Sequence, residues 1–212
     1  ADYLLIVSAF ADPPPRTGFV ERALIAAFVG GLTPLVCLTK SDLADPSAFA
    51  AEFRDLDVEV LTTGIDDPLD ALSGYITGNV SALVGHSGVG KSTLFNRLIP
   101  DAERATGEVS GVGKGRHTST QSVALQLPQG GWIIDTPGIR SLGLAHVDPD
   151  TVVEVFEDLR EVIEDCPRGC THMGPPADPE CALDTLTGPS ARRVTAIRRL
   201  LEALRSNNEW EM

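Results

Sequence analysis

The chain has 212 residues, with 30 acidic residues against 17 lysines and arginines, a formal net charge of −13, and 42% hydrophobic against 22% charged residues. That balance supports a packed core and excludes non-specific nucleic-acid binding by the whole surface, so any RNA contact has to be local. No apolar run reaches the roughly 20 residues of a membrane helix, and residues 3–9 lack the flank and cleavage pattern of a signal peptide, which predicts a soluble, cytoplasmic protein without a membrane partner.

Taken in order, β-rich runs alternate with helical stretches: 4–8 then 18–28, 35–38 then 46–54, 58–61 then 68–76, and 80–84 leading into a helix to about 99. The alternation predicts an α/β domain with a mostly parallel sheet and crossover helices. Cys37 stands alone in an apolar run and reads as a small buried hydrophobe. The second strand runs into Thr39-Lys40-Ser41-Asp42. A carboxylate at Asp42 would accept from N1–H and N2–H₂ of guanine, whereas adenine lacks that donor pair, and such pairing discriminates by roughly 10⁴. Lys40 would lay its stem over the nucleotide plane. T-K-x-D alone also fits a helix-start turn. Its place after an apolar strand and ahead of a phosphate loop favours base reading. Thr62 and Thr63 lie one β-α unit later, where a second base-contacting turn is expected.

The strongest motif is Gly85-His86-Ser87-Gly88-Val89-Gly90-Lys91-Ser92, followed by Thr93, between a predicted strand and a helix. Glycines let backbone N–H groups turn toward phosphate oxygens. The helix N-terminus adds positive potential, Lys91 reaches the β- and γ-phosphates, and Ser92 ligates Mg²⁺. Residues 100–117 read as a long loop. In it His117 is the candidate for orienting water, an ordinary solvated histidine being the alternative, and Thr118 or Thr120 is the second hydroxyl for Mg²⁺. Residues 122–127 and 132–134 read as an antiparallel pair turned at 128–131. They lead to Asp135-Thr136-Pro137-Gly138, where Asp135 would hold Mg²⁺ through water and the Gly138 N–H would sense the γ-phosphate. Ile139 stands where many GTPases place a water-orienting glutamine, which predicts slow intrinsic hydrolysis or another group in that role.

The base-reading motif thus precedes the phosphate loop instead of following it, the order of a circularly permuted GTPase domain. The expected boundary falls near 147, giving a GTPase domain over 1–147 and a small helical zinc-binding domain over 148–212. A helix is predicted over 151–164. Cys166, Cys170, His172 and Cys181 follow as C-x₃-C-x-H-x₈-C, a closed tetrahedral donor set for structural Zn²⁺. The last helix, 189–205, carries Arg192, Arg193, Arg198, Arg199 and Arg205. This reads equally as a local RNA-phosphate face or as a solvated face balanced by acids such as Glu161 and Glu164.

Together the motif order, Thr106-Gly107-Glu108-Val109-Ser110 leading to Gly115-Arg116-His117-Thr118-Ser119-Thr120, and the zinc set closely resemble the ribosome small subunit-dependent GTPases, the RsgA/YjeQ family. The resemblance implies a Mg²⁺-dependent GTPase cycling between GTP and GDP. It implies action in late assembly of the small ribosomal subunit, contact with that subunit and its rRNA, and stimulation by it; a monomer is expected. The family also carries an N-terminal OB-type RNA-binding domain that is absent from this sequence, so a trimmed chain is expected. Thr39 departs from the usual asparagine, and its shorter hydroxyl predicts a loss of contacts and modest nucleotide affinity. Three other readings compete: an RNA-binding module in which GTP is only a timer, an ATP-using P-loop enzyme, and a large-subunit assembly GTPase.

Overall fold

The computed structural model describes residues 1–43, 45–100, 122–136, 144 and 146–206. Its strands are β1 (Tyr3–Ala9), β2 (Thr33–Thr39), β3 (Glu59–Thr63), β4 (Val80–Val84), β5 (Val123–Gln126) and β6 (Trp132–Asp135). The helices are α1 (Thr17–Val29), α2 (Ser47–Ala51), α3 (Asp70–Ile76), α4 (Lys91–Leu98), α5 (Pro149–Glu154), α6 (Glu157–Arg160) and α7 (Gly188–Arg205), with 3-10 turns at Arg54–Leu56, Val162–Asp165 and Ala182–Thr185. The described residues fall into two compact units. One draws on Ala1–Arg16, Leu32–Ser47 and Glu59–Arg140, the other on Thr17–Gly31, Ala48–Val58 and Ser141–Met212.

The first unit is a six-stranded sheet in the order β3-β2-β1-β4-β6-β5. β1 pairs in parallel with β2 and β4, β2 with β3 and β4 with β6, while β5 runs antiparallel to β6. The interior strand β1 is buried from Leu4 to Ala9, as expected of a parallel strand covered on both faces. On one face, period-two residues Leu5 and Val7 of β1 and Leu35 and Cys37 of β2 pack with Leu72 and Ile76 of α3 and with Leu94, Phe95 and Leu98 of α4. Cys37 is a core residue, as its sequence context predicts, and burial pushes its thiol up to about 12. The expected hairpin is present, its turn closed by Leu127 N–H on Gly131 O at 3.0 Å. Because the parallel strands share a direction, the loops after β1, β2, β3, β4 and β6 gather at one sheet edge, where open α/β sheets bind ligands.

In the second unit, α7 buries Val194, Ile197, Leu200, Leu201 and Leu204 along one stripe. Phe28 of α1 meets Phe156 edge-on at 5.4 Å, and the buried Arg22 donates from Nη1 to Ala203 O at 3.2 Å, near the end of α7. The single helix predicted over 151–164 is broken. Asp148 caps α5, accepting from Asp150 N–H, but Phe156 turns extended at φ −95 and ψ 111, and α6 and a 3-10 turn follow. Val152, Val153 and Val155 give the continuous helix little propensity, and the break seats Phe156 against Phe28 and under the Arg193 guanidinium, 5.3 Å from its ring centre.

Acids balance the arginine-rich helix, as one of its two readings expects. Arg192 pairs with Asp55, Arg193 with Asp57 and Asp158, Arg198 with Asp184 and Arg199 with Glu52. The acids that meet the helix come from other segments than Glu161 and Glu164.

Candidate functional site

The phosphate loop joins β4 to α4. Gly85 lies against β1, where an added Cβ would stand 2.4 Å from Val7 O, so no side chain fits. Gly88 and Gly90 take φ of +80 and +90, left-handed values that glycine adopts without strain. Gly90 caps α4 with no side-chain bond to the helix start, which leaves the first-turn N–H groups free of a capping side chain and available to an anion. Lys91 Nζ donates to Gly85 O at 2.5 Å and to His86 O at 2.7 Å, holding the ammonium at the mouth of the loop. Burial lowers the Lys91 pKa while the Asp135 charge pulls it back. Burial, with the charges of Arg16 and Lys91, also lowers that of His86. Ser87, Ser92 and Thr93 are exposed around this cradle, and Val89 is anchored in the core.

Asp135 ends β6, and the next residue, Thr136, ties itself to β4 by donating its hydroxyl to Leu83 O at 2.6 Å. Burial raises the Asp135 carboxyl pKa, opposed by the Lys91 charge. Its Oδ1 is buried with no hydrogen-bond partner among the described residues. A desolvated carboxylate oxygen without a partner fits a site completed by a hydrated cation.

Thr39, at the end of β2, donates its hydroxyl to Val89 O at 2.6 Å and lies 3.4 Å from Ser8 O. The hydroxyl thus joins the segment after β2 directly to the phosphate loop. Lys40 has a left-handed φ of 60 and donates from Nζ to Asp12 O. Beside them lies a cleft of about 110 Å³ whose wall includes Asp42, Thr63, Gly64, Ile65 and Arg97. Gly64 abuts Asp42 so closely that an added Cβ would lie 3.1 Å from Asp42 Oδ1. Ser41 N–H reaches Thr63 O at 3.4 Å. Of the two threonines expected at this turn, Thr63 lines the cleft; Thr62, its neighbour on the pleat, is exposed and does not, and neither does Ser41.

In the second unit the ligand atoms of Cys166, Cys170, His172 and Cys181 all lie within 4.8 Å of one another. His172 Nδ1 is 3.6 Å from both Cys166 Sγ and Cys170 Sγ. Tetrahedral Zn–S and Zn–N bonds give a separation of roughly 3.5 Å, so the donor set fits zinc. The far nitrogen, Nε2, is 2.7 Å from Asp150 Oδ1 on α5, a carboxylate placed to fix the ring's tautomer and direction. His172 sits at a left-handed φ of 61. Asp178 secures that bend by accepting from Thr171 N–H, Thr171 Oγ1 and Met173 N–H, and Arg198 Nε donates to His172 O at 2.9 Å. Burial pushes the Asp178 carboxyl up, but the bonds from Thr171 and Met173, with the Arg205 charge, hold it below the usual range.

A family model described as RsgA GTPase matches residues 1–145. The chain belongs to the RsgA GTPase family. Relatives named small ribosomal subunit biogenesis GTPase RsgA include one from Nitrosospira multiformis, 37% identical over 197 residues covering 89% of this chain and 62% of its own length. Another, from Pseudomonas aeruginosa, is 40% identical over 189 residues, covering 84% of this chain and 55% of its own. The chain thus spans between half and two thirds of the length of these RsgA proteins. Among solved structures, YjeQ from Thermotoga maritima aligns with a TM-score of 0.64 at 23% identity, over 95% of this chain and 72% of that one. YloQ, titled a circularly permuted GTPase, aligns at 0.66 and 24%, over 99% and 70%. The fold is accordingly the circularly permuted, mostly parallel GTPase sheet, with a helical C-terminal region bearing the Cys₃His cluster.

In this RsgA-family chain the structure brings Thr39, Lys40, Asp42, Thr63, Gly85, Gly90, Lys91 and Asp135 to one sheet edge. His117, Thr118 and Gly138 lie outside the described residues. Sequence reasoning missed Arg97, Ile65 and Asp67 around the cleft beside Asp42, and Asp150 and Asp178 around the Cys₃His donor set. For Arg97 the available signal was its place four residues after Thr93, on the same face of the phosphate-loop helix. For Asp150 it was a helix start two residues after a capping aspartate.

Proposed function

We propose that the chain hydrolyses GTP to GDP and phosphate with Mg²⁺, and that it acts as a cytoplasmic monomer in late assembly of the small ribosomal subunit, contacting that subunit and its rRNA. The observation that carries this reading is the convergence, on one sheet edge, of the Asp42–Gly64 cleft, the Lys91 cradle and a buried Asp135 oxygen that has no partner among the described residues. The names of the RsgA relatives support the ribosomal role. Among the described residues no helix is long and apolar enough to cross a membrane.

On this reading Asp42 pairs with the two guanine donors, and adenine leaves its carboxylate unmatched. Lys91 exchanges the carbonyls of Gly85 and His86 for phosphate oxygens, so its charge stands where negative charge develops on the leaving group. The loop amides and the start of α4 add fixed positive potential. Ser92, Thr118 and Asp135 would hold Mg²⁺, which supplies charge neutralisation at the phosphates. His117 orients the water and the Gly138 N–H senses the γ-phosphate. Residues 1–147 carry the nucleotide site, and residues 148–212, which share their compact unit with Thr17–Gly31 and Ala48–Val58, carry Cys166, Cys170, His172 and Cys181, which would hold structural zinc. The arginines of α7 are not assigned to rRNA, because intramolecular acids engage four of the five.

The test is nucleotide hydrolysis with and without purified small ribosomal subunits, using large subunits and ATP as controls. Intrinsic GTP turnover on the order of 10⁻⁴ s⁻¹, rising only with small subunits, is expected. Equal use of ATP, or an equal response to large subunits, defeats the proposal.

A further inference from the structure

One wall of the base cleft is α4 itself, from which Thr93, Leu94 and Arg97 face the cavity. Arg97 is half-buried, and its guanidinium donates to Gly64 O at 3.1 Å and to Asp67 O, with Thr63 Oγ1 at 3.5 Å. Asp67 Oδ2 in turn accepts from Gly64 N–H at 2.6 Å. The turn from Thr63 to Asp67 is therefore pinned by a side chain of the helix that begins at Lys91. Holding the Gly64 carbonyl fixes the plane of the following peptide, and a planar trans peptide points its N–H opposite its C=O. The direction of Ile65 N–H, at the cleft wall, is thereby set by Arg97 together with the Thr63 hydroxyl, which donates to the same Gly64 O at 3.0 Å; Arg97 alone extends the hold to Asp67.

We propose that Arg97 is a positioning residue for guanine recognition: it holds the Thr63–Asp67 turn at a fixed distance from Asp42 and links the base cleft to the phosphate end of α4. The proposal rests on the GTP-binding reading above. Lys91 and Arg97 are separated by about 9 Å of helix at 1.5 Å per residue, so α4 is a rigid spacer between phosphate and base. A guanidinium is suited to this task because its planar fork serves several oxygens at once, where an ammonium is a single point donor on a flexible stem.

Calorimetric affinities for GDP, ADP and inorganic triphosphate, measured on the full chain as wild type, R97A and R97K, test the idea. Wild-type preference for GDP over ADP tests the parent reading alone, and its absence overturns that reading whatever Arg97 does. With that preference present, R97A should weaken GDP about tenfold, roughly 1.4 kcal/mol, with triphosphate affinity changed less than about twofold and R97K falling between. An unchanged GDP-to-ADP ratio, or an equal loss of GDP and triphosphate affinity, overturns the proposal. Should R97A not fold, R97K decides by the same ratio: a fall supports positioning and constancy refutes it.

Discussion

Gly64 shows how far a single missing side chain shapes the base site. Its φ lies outside the left-handed range, so the constraint is space, with Asp42 Oδ1 only 3.1 Å from where a methyl would stand. Gly64→Ala should push the carboxylate out of register and weaken GDP about tenfold while leaving ADP unchanged, a comparison that titration with both nucleotides makes directly. Asp135 makes a prediction of opposite sign for stability and function. Burial raises its folded pKa, with Lys91 opposing, so the stability it contributes is fully present below the ordinary carboxylate value, near about 3.9, and is lost as pH rises through the raised one. Asp135→Asn should remove that slope and raise the nucleotide-free melting temperature at neutral pH, yet abolish the Mg²⁺ dependence of GDP binding. Melting curves across acidic to neutral pH without Mg²⁺ check the first part, and a lower melting temperature for the variant would sink it. The phosphate loop was legible residue by residue because its chemistry is local: glycines at fixed offsets and a lysine at the helix start. For Arg97 the spacing from Thr93 gives only a helix face, because its partners on Gly64 and Asp67 lie about thirty positions away and nothing in the helix pattern names them.

At the scale of elements, the alternation of strands and helices was readable because β1, β2 and β4 are short apolar runs bounded by turn residues. The stretch from residue 151 onward was misread because helical spacing of apolar positions says nothing about a backbone that turns extended to seat one aromatic ring. The arginines of α7 teach the same lesson, since Asp55, Asp57, Asp158, Asp184 and Glu52 come to them through folding. Arg22 ties α1 to α7 by donating to Ala203 O, one of the last carbonyls of a helix that ends at Arg205. A buried cation there complements the helix dipole and shares Ala203 O with the Ser206 hydroxyl, which donates to it at 3.2 Å. Arg22→Met should lower stability by about 2 kcal/mol, the usual range for a charged hydrogen bond, as a reduced urea midpoint with an unchanged m-value.

For the molecule as a whole, a zinc ion held by the Cys₃His cluster would couple folding to a metal. The segment around Cys166 to Cys181 is rich in turns, and its ordering rests on Asp178, Arg198 and the four donors. Metal binding in such units contributes on the order of 10 kcal/mol, so stripping zinc should expose these backbone amides to exchange. Asp150→Ala, which frees the His172 ring, should weaken zinc about 10- to 100-fold in chelator competition, and an affinity equal to wild type would refute the positioning role of Asp150.

The strand order also has a consequence for the nascent protein. Within this sheet β1 is made before its neighbours and finds one of them early, with Tyr3 opposite Thr33, but its other side pairs only when Ser81 arrives opposite Tyr3. Until then a row of unpaired peptide groups on an apolar strand stays open, the kind of edge on which foreign strands add. In a GTPase of ordinary order the phosphate-loop strand is made first. Here it is made after β1, β2 and β3, and its arrival covers the open side of β1 as it creates the phosphate cradle, so the exposed edge passes to the strand that bears the phosphate loop until β6 pairs with it.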